Sequence, residues 1–365
     1  MKIIAIDAID INSYGGLIHL QQLVRSLSKK NIYLKVFSNS FIKKNLKSRK
    51  KIKIIKKNVF DKNFILRHVW KIIFLRKELL RNKCQILLSL NGVYHGQFKS
   101  TILLLQNTLP FDDLAKSKYN ITSKIKFFLQ KIAILTSIYI HRNVIFTSHD
   151  FKNKVLKYFK NKENLKSKVI YHGVERAFKN KKRFHRKKLK LLFVSEFKEY
   201  KNHEKLFEAI NRDKKNIIDL TCIGKYDKKY IQDLNFKYKF KKHKIKIIKK
   251  NSHKKIFKKY KNFDALIFPS LTEAFGLPVL EAAANRLPIL CSNLKVFKEI
   301  FKNGCIYFNP YNSKSILNRI YYFSSLNKNI INKKINHNYK VSKNLSWDYF
   351  GNNYYQTIIN SFKSK

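Results

Sequence analysis

The sequence predicts an α/β fold made of parallel sheets in two domains. Three observations carry this. Short apolar runs of strand length alternate with amphipathic runs of helical length along nearly the whole chain. That is the pattern of βα units whose helices cover the faces of a parallel sheet. The length, 365 residues, suits two domains at roughly 100–200 residues each. The alternation also stops once, at a polar run rich in Lys and Arg over 176–190, and then restarts. Such a run suits a solvated linker.

In the first domain, 1–175, apolar runs at 3–6, 33–37, 52–55, 86–90, 102–105, 144–147 and 169–171 read as strands. Helical patterns at 17–28, 64–81 and 121–140 separate several of them. The second domain, 191–345, takes strands at 189–194, 217–223, 245–248, 265–268, 289–291 and 305–308. Trp347, Phe350, Tyr354 and Ile358 then recur at helical spacing, so 346–365 reads as a closing helix. The opening MKIIAIDAID reads as a buried strand carrying acids, not as a signal peptide. The most apolar stretch, 127–140, holds Gln130 and Lys131 and is shorter than the roughly 20 residues a membrane span needs. Cys84, Cys222, Cys291 and Cys305 are scattered, with no CxxC pair and no zinc spacing. The expectation is a cytoplasmic, reduced protein with no metal.

A net charge of +57, from 79 Lys plus Arg against 22 Asp plus Glu, invites nucleic acid as a partner. Against it, 67 of the 79 are Lys and only 12 are Arg, whereas phosphate clamps and base readers favour Arg. The lysines are also spread from end to end beside abundant Ile, Asn, Phe and Tyr, a bias that AT-rich codons alone produce. No nucleic-acid partner is therefore expected. The second reading of the charge is attraction to an anionic membrane, peripherally at its inner face, or to a lipid-linked substrate. The basic, partly apolar stretch 116–131 suits such docking and equally suits an amphipathic core helix.

With nine Gly and five Pro in the chain, those present mark places that other residues fill badly. Gly15, Gly16, Gly173 and Gly224 follow predicted strands, and Pro269, Gly276, Pro278 and Pro288 crowd together. Open α/β sheets bind ligands at those strand ends. The most specific stretch runs Phe268-Pro-Ser-Leu-Thr-Glu273-Ala-Phe275-Gly276-Leu277-Pro278-Val-Leu-Glu281. Pro278 is expected at the first helical position. The N–H groups near Gly276 and Leu277 are then ready for an anion such as a pyrophosphate. Glu281, a turn further on, suits a vicinal diol such as a ribose, and Glu273 projects into the same crevice. Alone, Glu281 would read as a first-turn acid placed by the helix dipole. Two Glu eight residues apart around AFGLP favour a site.

Glu273-Ala-Phe-Gly-Leu-Pro-Val-Leu-Glu281 resembles the EX7E motif of the retaining glycosyltransferases of family 4. Ser13-Tyr14-Gly15-Gly16 resembles the family's first glycine-rich loop. Leu103-Leu-Leu-Gln106-Asn107-Thr-Leu-Pro110 resembles the strand end that faces the donor sugar. Val169-Ile-Tyr-His172-Gly173-Val, the stretch from Leu192-Phe-Val-Ser195 to Lys201-Asn202, and Cys305-Ile-Tyr-Phe-Asn-Pro310 resemble later elements. The resemblance implies a GT-B fold: two Rossmann-like domains facing across a cleft, with a C-terminal helix crossing back to the first. It implies sugar transfer from a nucleoside-diphosphate sugar to a glycan or lipid-linked glycan acceptor, in bacterial surface polysaccharide or lipopolysaccharide synthesis, without metal or other cofactor.

The resemblance also implies roles. Glu273 and Lys201 would be catalytic. Glu281, Phe275, Gly276, Leu277, Gly15, Gly16, Ser195 and Gly224 would hold the donor. Gln106, Asn107, His172 and His19 would contact sugar or acceptor; for His19 a plain helix-surface position is the competing reading. One departure is Glu196, where the family often has Arg, leaving Lys198 as its substitute unless Glu196 points away. The rival readings are a sugar-nucleotide epimerase on the same fold and a basic, non-catalytic binding protein.

Overall fold

The computed structural model describes residues 2–175, 188–238, 244–249 and 253–363. The predicted linker lies almost wholly outside the described residues. Leu189 and Lys190, its last two members, already belong to a strand. The chain divides into two compact units. One holds the residues up to Phe111, Ile125–Gly173 and the closing helix Trp347–Lys363; the other holds Asp112–Lys124 and Val174–Ser346. The short segment Asp112–Lys124 thus belongs with the second half of the chain.

In the first unit, β1 (Lys2–Ala8), β2 (Ile32–Ser38), β3 (Ile52–Ile55), β4 (Ile86–Ser89), β5 (Thr101–Leu105), β6 (Asn143–Phe146) and β7 (Lys166–Val169) form one parallel sheet. Its order is β3-β2-β1-β4-β5-β6-β7. The central strands β1, β4, β5 and β6, mostly buried, read as near-continuous apolar runs, as parallel strands do, whereas the edge strands β3 and β7 are only partly buried. The helix Tyr14–Ser28 follows β1 and packs Leu20, Leu23 and Leu27 into the core, where Phe350, Tyr354 and Ile358 of the closing helix meet it. Two expectations are corrected here. The helical pattern over 64–81 is two helices, Phe64–Ile73 and Leu75–Arg81, parted at Phe74. The strand expected at 169–171 ends at Val169, leaving His172 three residues beyond it.

The second unit has β8 (Leu189–Val194), β9 (Ile218–Gly224), β10 (Ile245–Lys249), β11 (Ala265–Phe268), β12 (Ile289–Ser292) and β13 (Ile306–Phe308). They run parallel in the order β10-β9-β8-β11-β12-β13. The order reverses between β8 and β11, and a doubly wound sheet opens a crevice beyond the carboxyl ends of the strands on either side of such a reversal. Both chemical stretches picked out by sequence, 195–202 and 269–281, leave the sheet there.

Gly224 closes β9 where a side chain has no room. A Cβ there would lie 1.7 Å from the Ser195 carbonyl oxygen, just where Ser195 N–H donates to Ile223. Gly224→Ala is expected to destabilise the chain by about 2 kcal/mol, because backbone must move to admit the methyl. Gly15→Ala, whose Cβ would meet open space, is expected to stay within about 0.5 kcal/mol. Urea midpoints of the two variants check this; equal midpoints would refute it.

Candidate active site

From β11 the chain passes through a loop into the helix Leu277–Ala284. Gly276 caps that helix at φ +91°, a left-handed conformation that favours glycine. Pro278 is the second helical residue, one position later than the sequence suggested. Either way it lacks only an N–H that the helix leaves unused. Phe275 is buried, while Leu277 keeps partial exposure.

Glu273, in the loop, accepts from the Lys201 ammonium at 2.5 Å and from the Ser270 hydroxyl at 2.7 Å. Both charged side chains are mostly covered, 13% and 11% exposed for Lys201 and Glu273. Burial alone would push the Lys201 pKa down. The Glu273 carboxylate, helped by Tyr200 and Glu196, more than reverses this and raises it, so the ammonium stays charged. Lys201 ends a 3-10 turn, Glu199–Lys201, and the next residue, Asn202, is left-handed at φ +63°. The Asn202 side-chain amide donates to the Pro269 carbonyl at 3.2 Å and the Pro310 carbonyl at 2.7 Å. It thereby ties together the loops after β8, β11 and β13.

Glu281 is 6% exposed. It accepts at 2.8 Å from the hydroxyl of Tyr260, which is itself wholly buried. Burial first, then the adjacent carboxylate, raise the Tyr260 phenol well above its ordinary pKa, so it remains a donor. Glu196 forms an ion pair with Lys198 at 3.2 Å, which offsets the negative charge that departs from the family pattern. Ser195 donates to the Glu196 carbonyl and lies 3.5 Å from His203. His203 in turn is buried in a ring stack on Phe197. The segment Asp112–Lys124 reaches the same turn: Tyr119 is hydrogen-bonded to Glu199, and Lys118 lies 3.9 Å from Glu204.

Tyr260, Ser270, His203 and Tyr119 were missed by sequence reasoning. Ser270 lies three residues before Glu273 and was within reach of a spacing argument. Tyr260 precedes Glu281 by 21 residues, across a strand and a loop, and no local pattern links them.

The other predicted residues lie in the first unit. Ser13 caps the helix Tyr14–Ser28 by accepting from Gly16 N–H at 3.2 Å, so Gly15 and Gly16 form its first turn. Gln106 follows β5, half-buried, and Asn107 is exposed with its side-chain oxygen held by Leu109 N–H. His19 and His172 differ from expectation. His19 is 0% and His172 6% exposed, their Nδ1 atoms 3.1 Å apart. His19 also meets the ring of Phe350 edge-on at 5.1 Å. His19 is therefore neither a helix-surface residue nor open to a sugar. The closing helix covers both rings. Burial drives both pKa values down, that of His172 to about 3, and His172 lowers that of His19 further.

Two parallel sheets of this order match solved structures of the GT-B fold. The match to sucrose-phosphate synthase of Thermosynechococcus elongatus has a TM-score of 0.81 over all of both chains at 13% identity. That to Anabaena HepE, solved with UDP and glucose, has 0.73 over 99% of this chain and all of that one, also at 13% identity. Residues 174–340 match the family model described as glycosyl transferases group 1. Among curated proteins, the O-antigen chain mannosyltransferase RfbU of Salmonella typhimurium is 30% identical over 229 residues, covering 59% of this chain. The match spans 60% of that relative's length.

Proposed function

We propose that the protein is a retaining glycosyltransferase. It would move a sugar from a nucleoside diphosphate to an acceptor hydroxyl, in the assembly of an O-antigen or a similar bacterial surface polysaccharide. The observation that carries this is the arrangement at the reversal of the second sheet. Lys201 and Glu273 stand on one side of the Gly276 helix start, and Glu281, oriented by Tyr260, lies one turn into the helix. In this reading Glu281 receives the ribose hydroxyls. The helix start and the charged Lys201 take the diphosphate, whose negative charge grows as the glycosidic bond breaks. Glu273 shifts from Lys201 to the transferred sugar. Attack from the face that the diphosphate leaves needs leaving-group stabilisation and no enzymic nucleophile. Lys201 and the helix start supply the positive charge, so no metal is required. RfbU's name makes mannose the first sugar to try. The acceptor is a glycan, lipid-linked, met at a membrane surface.

A thermal-shift screen of UDP, GDP, ADP, GDP-mannose and UDP-glucose without metal tests this. One nucleotide should raise the melting temperature, by linkage worth about 2.7 kcal/mol at a hundredfold excess over Kd. Glu281→Ala should abolish most of that rise. No shift with any of the five, or an undiminished shift in the variant, would refute the assignment.

A further inference from the structure

The helix Phe64–Ile73 is inside out. Its basic residues face the interior: Lys71 is 1% exposed, with its ammonium 2.7 Å from Asp7, 3.2 Å from Asp10 and 2.9 Å from the Val93 carbonyl. Arg67 donates to Asp10 at 2.8 Å. The apolar residues Ile65, Val69, Ile72 and Ile73, spaced i, i+4, i+7 and i+8 on one face, are 70%, 45%, 41% and 59% exposed. The helix has thus used its polar side to neutralise the acids at the end of β1 and turned its apolar side outward.

A second stripe lies beside it. Ile125, Phe128, Leu129, Ile132, Tyr139 and Ile140 share one face of the helix Ile121–His141, and all are exposed. Thr136 lies on that stripe. A hydrogen-bonded chain joins the two helices, from His68 through His95 at 3.1 Å to the Thr136 hydroxyl at 2.7 Å. The stripes are therefore neighbours within the first unit, and together they exceed the scattered apolar exposure normal for a soluble surface.

We infer that this double stripe is the surface on which the protein lies against an anionic lipid bilayer. Charge selects the occupant. Exposed Arg76, Lys77 and Lys126 flank the stripes, and they complement an anionic leaflet. A second copy of the chain would bring a further +57 of like charge. No helix among the described residues is long and apolar enough to cross a membrane, so the contact lies in the interface plane. This names the surface behind the lipid-linked acceptor proposed above, but binding to it needs no nucleotide, and the two can fail separately.

Sedimentation with phosphatidylcholine vesicles containing about a quarter phosphatidylglycerol tests it. Wild type should bind, and bind pure phosphatidylcholine at least about tenfold more weakly. Ile65→Asp and Phe128→Asp should each weaken binding about tenfold, with the melting temperature and any nucleotide shift unchanged. Absent binding, or binding that neither substitution weakens, would overturn the inference. So would a solution dimer that both variants dissociate while vesicle binding persists.

Discussion

Lys201→Met should lower turnover by about 10²- to 10³-fold, the usual loss when one preorganised charge facing a developing anion is removed. Its effect on nucleotide affinity should be smaller, because the charge it meets grows as the leaving diphosphate departs. Glu273→Gln should bring a similar loss of turnover with little change in nucleotide affinity, since that residue is assigned to the sugar. The two side chains hold each other at 2.5 Å before any donor arrives, so their losses should not add. The double variant should turn over little more slowly than the worse single one. Single-turnover rates at saturating donor, with separate measurement of nucleotide binding, read this out. Independent, multiplying losses would mean that the two side chains act separately and do not work as a unit.

Stability should fall steeply below about pH 6.5, most of all in the first unit. His19 and His172 have pKa values lowered by burial, while in the unfolded chain each titrates near the model-peptide value of about 6.5. Below that pH the unfolded chain takes up protons that the folded unit refuses. Each such histidine then removes about 1.4 kcal/mol per pH unit, until its folded value, about 3 for His172, is reached. Geometry reinforces this. The two facing Nδ1 atoms can share one proton but not two. At pH 4.5 His172 alone should cost the unit on the order of 3 kcal/mol, and buried His19 adds to that loss. His203 adds a similar slope to the second unit through its burial and the nearby Lys201 charge. Urea unfolding between pH 7.5 and 4.5 should show the slope, and His19→Leu should flatten it by about one proton. An unchanged slope in that variant would remove His19 from the account.

Much of the architecture could be read from local pattern. Buried parallel strands are uninterrupted apolar runs, and the breakers after them mark the strand ends. The acids Glu273 and Glu281 were within reach for the same reason, since a single loop and helix start carry both. Pairings across the fold were hidden. Nothing near Glu281 points to Tyr260, and nothing in the stretch 112–124 shows that it belongs with the later half of the chain. The two histidines looked like strand-end and helix residues open to substrate because their cover, Phe350 and Tyr354, comes about 180 positions after the second of them. Helical periodicity marks 64–81 as helical but not which of its faces turns inward. A period says which residues share a face, and only the acids at the end of β1 decide that the basic face goes inward.

The closing helix also sets an order of events during synthesis. Residues up to Gly173 leave the ribosome long before Phe350, Tyr354 and Ile358 exist, although these complete the core around the helix Tyr14–Ser28. At about 5–20 residues per second that interval is on the order of ten to forty seconds. Throughout it, the nascent first half carries an uncovered apolar groove with His19 at its floor. The half that is translated second receives all its strands without interruption. The part of the protein made first is therefore finished last.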